Sequence, residues 1–214
     1  MYNHIDLTLL KPFATFDDYR DLCMKAIENH TASVCVPSSM VRFCKNLITY
    51  KNADVKVCTV IGFPLGNCST DTKLEEAKLA ILEGADELDM VINLTWLKSR
   101  KKYDVISEVN KIAFFCHRND VLLKVIVETC YLTKEEKEKI CTWLVEETNA
   151  DYIKTSTGFG TGGATIEDVK LFSEIIKKYN HHMKIKASGG IRTKEEVKEY
   201  LKYCDRIGMS CLPK

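Results

Sequence analysis

The chain has almost no net charge: 31 lysines and arginines stand against 30 acids, which leaves +1. That balance offers no basic footprint for nucleic acid and no pull toward an anionic membrane. No apolar run is long enough to span a bilayer. Met1-Tyr-Asn-His-Ile-Asp has no basic region leading into an apolar core, so no signal peptide is expected. None of the ten cysteines forms a C-x-x-C pair, and several lie in apolar runs, where a reduced thiol behaves as a small hydrophobe. A reduced, cytoplasmic protein is therefore expected. The five histidines show no H-E-x-x-H or similar spacing, so neither metal nor cofactor is expected. No G-x-G-x-x-G follows the first β-like run, which argues against a dinucleotide site.

What is present is a repeat of short β-branched runs. They read as strands at Ile5–Leu9, Ser33–Pro37, Val55–Ile61, Leu88–Asn93, Leu122–Glu128, Tyr152–Ser156, Lys184–Ser188 and Arg206–Ser210. Amphipathic helical patterns lie between most of them; Val169, Phe172, Ile176 and Tyr179 share one helical face. Helix starts recur as Thr15-x-x-Asp18, Thr72-x-x-Glu75, Thr133-x-x-Glu136, Thr165-x-x-Asp168 and Thr193-x-x-Glu196, the capping-box pattern or its Asp variant. Lys98–Asp104 reads as a loop or helix start. With no low-complexity linker, residues 1–214 are expected to form a single-domain (β/α)8 TIM barrel, near the lower size limit of that α/β fold. A doubly wound open sheet is the second choice.

Two lysines stand out, Lys154 in Ile-Lys-Thr-Ser-Thr-Gly and Lys186 in Lys-Ala-Ser-Gly-Gly. Each sits near the end of a β-like run, just before a Gly-rich turn, where a barrel keeps its site. A second lysine nearby opposes charging of the first, and carbonyl chemistry needs a neutral amine. Alternation puts Asp89 on the face opposite Leu88, Met90 and Ile92, and puts Asp6 beside Thr8. An acid inside so apolar a run is costly unless paired or used. The expectation is a polar cluster of Asp89, Lys154, Lys186 and Asp6 in the upper barrel; the alternative is a set of structural ion pairs. Gly158, Gly160, Gly162 and Gly163 precede one helix, Gly189 and Gly190 another, and Gly208 and Ser210 follow the last strand. Backbone amides in such turns bind phosphate.

Taken together, these motifs resemble the DeoC family of class I aldolases. The likeness runs in order through Asp6-Leu-Thr-Leu-Leu, Thr59-Val-Ile-Gly-Phe-Pro-Leu-Gly66, Glu87-Leu-Asp-Met-Val-Ile-Asn93, Lys124-Val-Ile-Val-Glu-Thr129, Ile153-Lys-Thr-Ser-Thr-Gly-Phe159, Lys186-Ala-Ser-Gly-Gly-Ile-Arg192 and Arg206-Ile-Gly-Met-Ser210. The resemblance implies a (β/α)8 barrel and reversible cleavage of 2-deoxy-D-ribose 5-phosphate to D-glyceraldehyde 3-phosphate and acetaldehyde, in deoxyribose phosphate catabolism. It implies a phosphosugar substrate, no cofactor, and a homodimer or other homo-oligomer. By motif position, Lys154 resembles the Schiff-base lysine, and Asp89 and Lys186 its proton-transfer partners. Lys186 is expected to keep part of Lys154 neutral by its charge. Asp6 and Thr8 match a polar pair near the substrate, and Cys35 a cysteine near the mouth. Thr155, Gly158, Gly189, Gly190, Arg192, Gly208 and Ser210 complete the expected substrate contacts.

Two departures qualify the resemblance. The segment after Gly208 is short, where many family members continue with a further Ser or Gly, a helix and sometimes a C-terminal tyrosine; this weakens the expected contact at Ser210. Phe159 stands where some members carry a basic residue, leaving the phosphate to backbone amides and Arg192 or Lys186. A transaldolase-like barrel and a phosphosugar-binding barrel without catalysis are the competing readings.

Overall fold

Eight short strands with buried residues on both faces are what a parallel barrel wrapped by helices requires. A computed structural model of the chain describes residues 1–179 and 181–214. The strands are β1 (Ile5–Thr8), β2 (Ser33–Val36), β3 (Lys56–Ile61), β4 (Glu87–Val91), β5 (Leu122–Ile126), β6 (Tyr152–Lys154), β7 (Lys184–Ser188) and β8 (Arg206–Met209). They pair in sequence order, all parallel, and β8 closes on β1. The helices are α1 (Phe16–Glu28), α2 (Val41–Tyr50), α3 (Thr70–Leu82), α4 (Leu94–Lys98), α5 (Lys102–His117), α6 (Lys134–Glu147), α7 (Ile166–Lys178) and α8 (Lys194–Tyr200). All eight expected strands and the closed barrel are present, with strand ends differing by up to two residues.

The main core lies between barrel and helices. Ile5, Leu7, Val34, Leu88, Met90, Leu123, Ile153, Ile185 and Ile207 point outward from the strands into it. Each such side chain taken out of water contributes roughly 1.5–3 kcal/mol. Val169, Phe172 and Ile176 of α7 are buried against this layer, whereas Tyr179, just past the helix end, is exposed. The barrel interior is different: only Cys35, Cys58 and Val60 form an apolar cluster there. Seven other inward positions carry charge: Asp6, Glu87, Asp89, Lys124, Lys154, Lys186 and Arg206.

The helix starts follow the Thr pattern with two corrections. Thr15, Thr133 and Thr193 cap with full capping boxes. Thr165 also caps, but Asp168 does not reach back to it, because its carboxylate takes Lys137 at 2.7 Å. Thr72 is not a cap: α3 starts one turn earlier, where the Ser69 hydroxyl accepts from the Thr72 N–H. Lys98–Asp104 proves to be the short turn between α4 and α5 together with the start of α5.

Candidate active site

Strand alternation sends Asp6 (β1), Ser33 (β2), Cys58 (β3), Glu87 and Asp89 (β4), Lys124 (β5), Lys154 (β6), Lys186 (β7) and Arg206 (β8) into one connected network. Asp89 is its hub. Its Oδ2 accepts from Lys154 Nζ and from Lys186 Nζ, each at 2.7 Å. Its Oδ1 accepts from Lys124 Nζ at 2.9 Å and faces Cys58 Sγ at 3.2 Å. Lys186 Nζ also lies 2.5 Å from Asp6 Oδ2. The other Asp6 oxygen accepts from Ser33 Oγ at 2.7 Å and Arg206 at 2.6 Å. Glu87 closes the network, 2.5 Å from Lys124 and 3.1 Å from Arg206. Three carboxylates thus meet four basic groups, one positive charge in excess.

Burial and charge pull against each other here, and charge wins. Burial alone would raise the Asp89 carboxyl; Lys124, Lys154 and Lys186 overcome that and hold it well below the usual carboxylate range. Asp6 is likewise depressed, against burial, by Lys186, Lys124 and Arg206. Burial would lower Lys186, but Asp6 and Asp89 hold it above the ordinary lysine value. Lys124 is raised in the same way, chiefly by Asp89. The expected direct opposition of Lys186 and Lys154 takes a different form: both ammonium groups converge on the same oxygen, so a carboxylate stands between them.

Above the network the C-terminal strand ends open into a cavity of about 510 Å³. Of the three expected catalytic residues only Lys154 lines it. Asp89 and Lys186 are wholly buried behind it and reach the cavity through Lys154. Thr8, Gly158, Gly189, Gly190, Arg192, Gly208 and Ser210 line the cavity as expected.

Four expectations need correction. Asp6 does not face the cavity; it is wholly buried beneath Lys186, tied to Ser33 and Arg206. Cys35 is also wholly buried below the mouth, where it packs against Cys58 and Val60 instead of lining the cavity. Thr155 follows Lys154, so alternation turns it outward. There its hydroxyl donates to Ser188 O (3.3 Å) and accepts from Ser188 N–H (3.1 Å), which clamps the end of β6 to that of β7. Lys186, committed to two carboxylates, cannot serve the phosphate, which leaves Arg192 of the two candidates.

The lip beyond β6 is braced from beneath. Glu128, buried and left-handed at φ 53°, accepts from the Thr157 N–H at 3.1 Å and from the Thr157 hydroxyl. Gly163 packs on Gly189 so closely that a Cβ there would lie 2.2 Å from the Gly189 carbonyl oxygen. The two Gly-rich turns are thereby joined. Sequence reasoning missed Lys124, Glu87, Arg206 and the Glu128 brace as partners. Parity could have found the first three: Lys124 alternates with Ile126, Glu87 with Asp89, and Arg206 with Gly208.

A family model described as DeoC/LacD family aldolase matches residues 3–211. A deoxyribose-phosphate aldolase of Thermococcus kodakarensis is 49% identical across 97% of this chain and 91% of its own length. One of Treponema denticola is 49% identical across 97% and 94%. Among solved structures, a tetrameric deoxyribose phosphate aldolase of Aeropyrum pernix superposes with a TM-score of 0.88 at 31% identity, covering 98% of this chain and 86% of that one.

Proposed function

The chain belongs to the DeoC/LacD family of aldolases, and from that premise we propose that it is a class I aldolase reversibly cleaving 2-deoxy-D-ribose 5-phosphate to D-glyceraldehyde 3-phosphate and acetaldehyde. The observation that carries this reading is Lys154: an amine at the floor of an open cavity, with Asp89 and Lys186 arranged behind it.

In this reading the Lys154 amine adds to the C1 aldehyde of the open-chain sugar and loses water to give a protonated imine. That cation occupies the place of the ammonium group beside Asp89, whose carboxylate, 2.7 Å from Nζ, compensates its charge without rearrangement. The imine then draws in the electrons of the C2–C3 bond as the C3 hydroxyl loses its proton. Cleavage releases D-glyceraldehyde 3-phosphate and leaves a two-carbon enamine on Lys154. Protonation at C2 and hydrolysis free acetaldehyde. Asp89 relays the C3 hydroxyl proton through a water, and Lys186, held cationic by Asp6 and Asp89, is the reservoir with which it exchanges. Thr8, Gly158, Gly189, Gly190, Gly208 and Ser210 border the substrate, and Arg192 meets its phosphate.

Residues 1–214 act as one catalytic domain in this proposal, within a cytoplasmic homo-oligomer that serves deoxyribose phosphate catabolism. No helix among the described residues is long and apolar enough to cross a membrane. Release of D-glyceraldehyde 3-phosphate from deoxyribose 5-phosphate, followed with a coupled reductase, tests the proposal. Steady turnover is expected; substrate that binds and returns unchanged would favour a binding protein instead.

A further inference from the structure

We propose that Lys11 is a specificity-determining residue, which together with Arg192 brackets the end of β8 and selects substrates carrying a phosphate dianion. The inference rests on the phosphosugar reading above and adds to it a residue that the sequence motifs did not single out.

The strand order places the two cations. Arg192 lies just beyond β7 and Lys11 just beyond β1, while β8, with Gly208 at its inner face and Ser210 at its end, runs between them. All four residues line the same cavity. Among the described residues no carboxylate lines it, and Glu196, the acid that feels the charge of Arg192, already accepts from the N–H groups of Arg192 at 2.8 Å and Thr193 at 2.9 Å. Neither Lys11 nor Arg192 takes part in a salt bridge among the described residues, and both side chains are exposed. The acid close enough to feel the charge of Lys11 is Asp18, whose carboxylate is already committed to the N–H and hydroxyl of Thr15, both at 2.7 Å. Lys11 Nζ instead rests 5.8 Å from the centre of the Phe13 ring, a contact that uses none of its three N–H donors.

The position fits the ligand. C1 of the sugar is fixed on Lys154 at the cavity floor, so the 5-phosphate, at the other end of the chain, is directed toward the rim. A dianion there meets one cation on each side and the amides of the Gly189–Gly190 turn beneath. Phe159, on the remaining side, stacks edge-on against Phe63 with ring centres 5.2 Å apart and offers no charge. Lys11 is therefore the cation that complements Arg192.

The test compares wild type, Lys11→Gln and Lys11→Arg on deoxyribose 5-phosphate and on unphosphorylated 2-deoxyribose, with the affinity of each protein for inorganic phosphate measured by calorimetry. For Lys11→Gln the ratio of kcat/KM between the two sugars is expected to fall about 10- to 100-fold, through KM, with a comparable loss of phosphate affinity. Lys11→Arg is expected to keep most of both. An unchanged ratio with unchanged phosphate affinity, or an equal loss on both sugars, would overturn the proposal. If wild type cleaves neither sugar yet binds phosphate in a Lys11-dependent way, the aldolase reading fails and the phosphate bracket stands. If wild type cleaves but Lys11→Gln matches it, the reverse holds.

Discussion

Asp89→Asn removes the charge around which the barrel interior is arranged while leaving its volume almost unchanged, so the effect is electrostatic rather than a cavity. Asp89 accepts from Lys154 and Lys186 at 2.7 Å and from Lys124 at 2.9 Å. At an effective dielectric of about 20, one unit-charge contact at 2.7 Å amounts to roughly 6 kcal/mol before desolvation and lysine–lysine repulsion are subtracted. Removing one member of a buried ion pair costs about 3–5 kcal/mol in practice. Lys124 and Lys186 keep Glu87 and Asp6, each at 2.5 Å. Lys154 keeps no other carboxylate within salt-bridge distance among the described residues. A loss in the 3–5 kcal/mol range is therefore expected, a large part of the roughly 5–15 kcal/mol by which a domain is stable. With the relay gone, kcat should fall by about 10²- to 10⁴-fold. Urea unfolding followed by circular dichroism reads the first effect and steady-state cleavage the second. Wild-type stability together with wild-type kcat would refute the hub assignment.

The other perturbations separate chemistry from scaffold. Lys154→Leu should lose all turnover yet give a native circular dichroism spectrum, because Asp89 retains two lysines; retained turnover would exclude Lys154 as the nucleophile. Glu128→Gln should loosen the lip that carries Thr157 and Gly158, raising KM for the phosphosugar more than it lowers kcat, which saturation kinetics will show. Gly163→Ala must move the Gly189 turn to relieve a 2.2 Å contact, and a stability loss of about 1–3 kcal/mol is expected in thermal melts. The depressed carboxyls of Asp6 and Asp89 bind fewer protons folded than unfolded. Their contribution is complete above about pH 4 and is lost as pH falls below it. The raised Lys186 and Lys124 act oppositely, stabilising below about pH 10 and losing that contribution as pH climbs through their folded values. Urea midpoints should therefore be flat between these limits and fall at both ends; a midpoint that rises on acidification below pH 4 would contradict the network.

The barrel was legible because its signals are local. β-branched runs and hydroxyl caps act within a few residues of themselves, and α1, α3, α6, α7 and α8 start where a Thr or Ser oxygen meets a free N–H. Thr72 misled for the same reason: Ser69, three residues earlier, offers the same hydroxyl one turn nearer the strand, and a pattern match cannot weigh one against the other. Lys154, Asp89 and Lys186 were legible as a group because charged residues inside apolar strands need each other. Their ordering in depth was not. Whether Asp6 or Thr8 reaches the cavity depends on strand tilt and on the layer each residue occupies. Thr155 is turned outward by alternation after Lys154, but its clamp on Ser188 forms only once β6 has paired with β7. Lys124 and Arg206 escaped notice because each joins the cluster through a neighbouring strand that is distant in sequence, 35 residues from Asp89 in one case and 200 from Asp6 in the other. Likewise, the Glu128–Thr157 brace joins two loops that become neighbours only once β5 and β6 have paired.

The central claim is that Lys154 forms an imine with the sugar and retains its first two carbons after cleavage. Incubation with deoxyribose 5-phosphate, reduction with borohydride and peptide mapping by mass spectrometry tests it most directly. A two-carbon reduced adduct on Lys154 is the predicted result. An adduct on another lysine, or none while the substrate still binds, would contradict it.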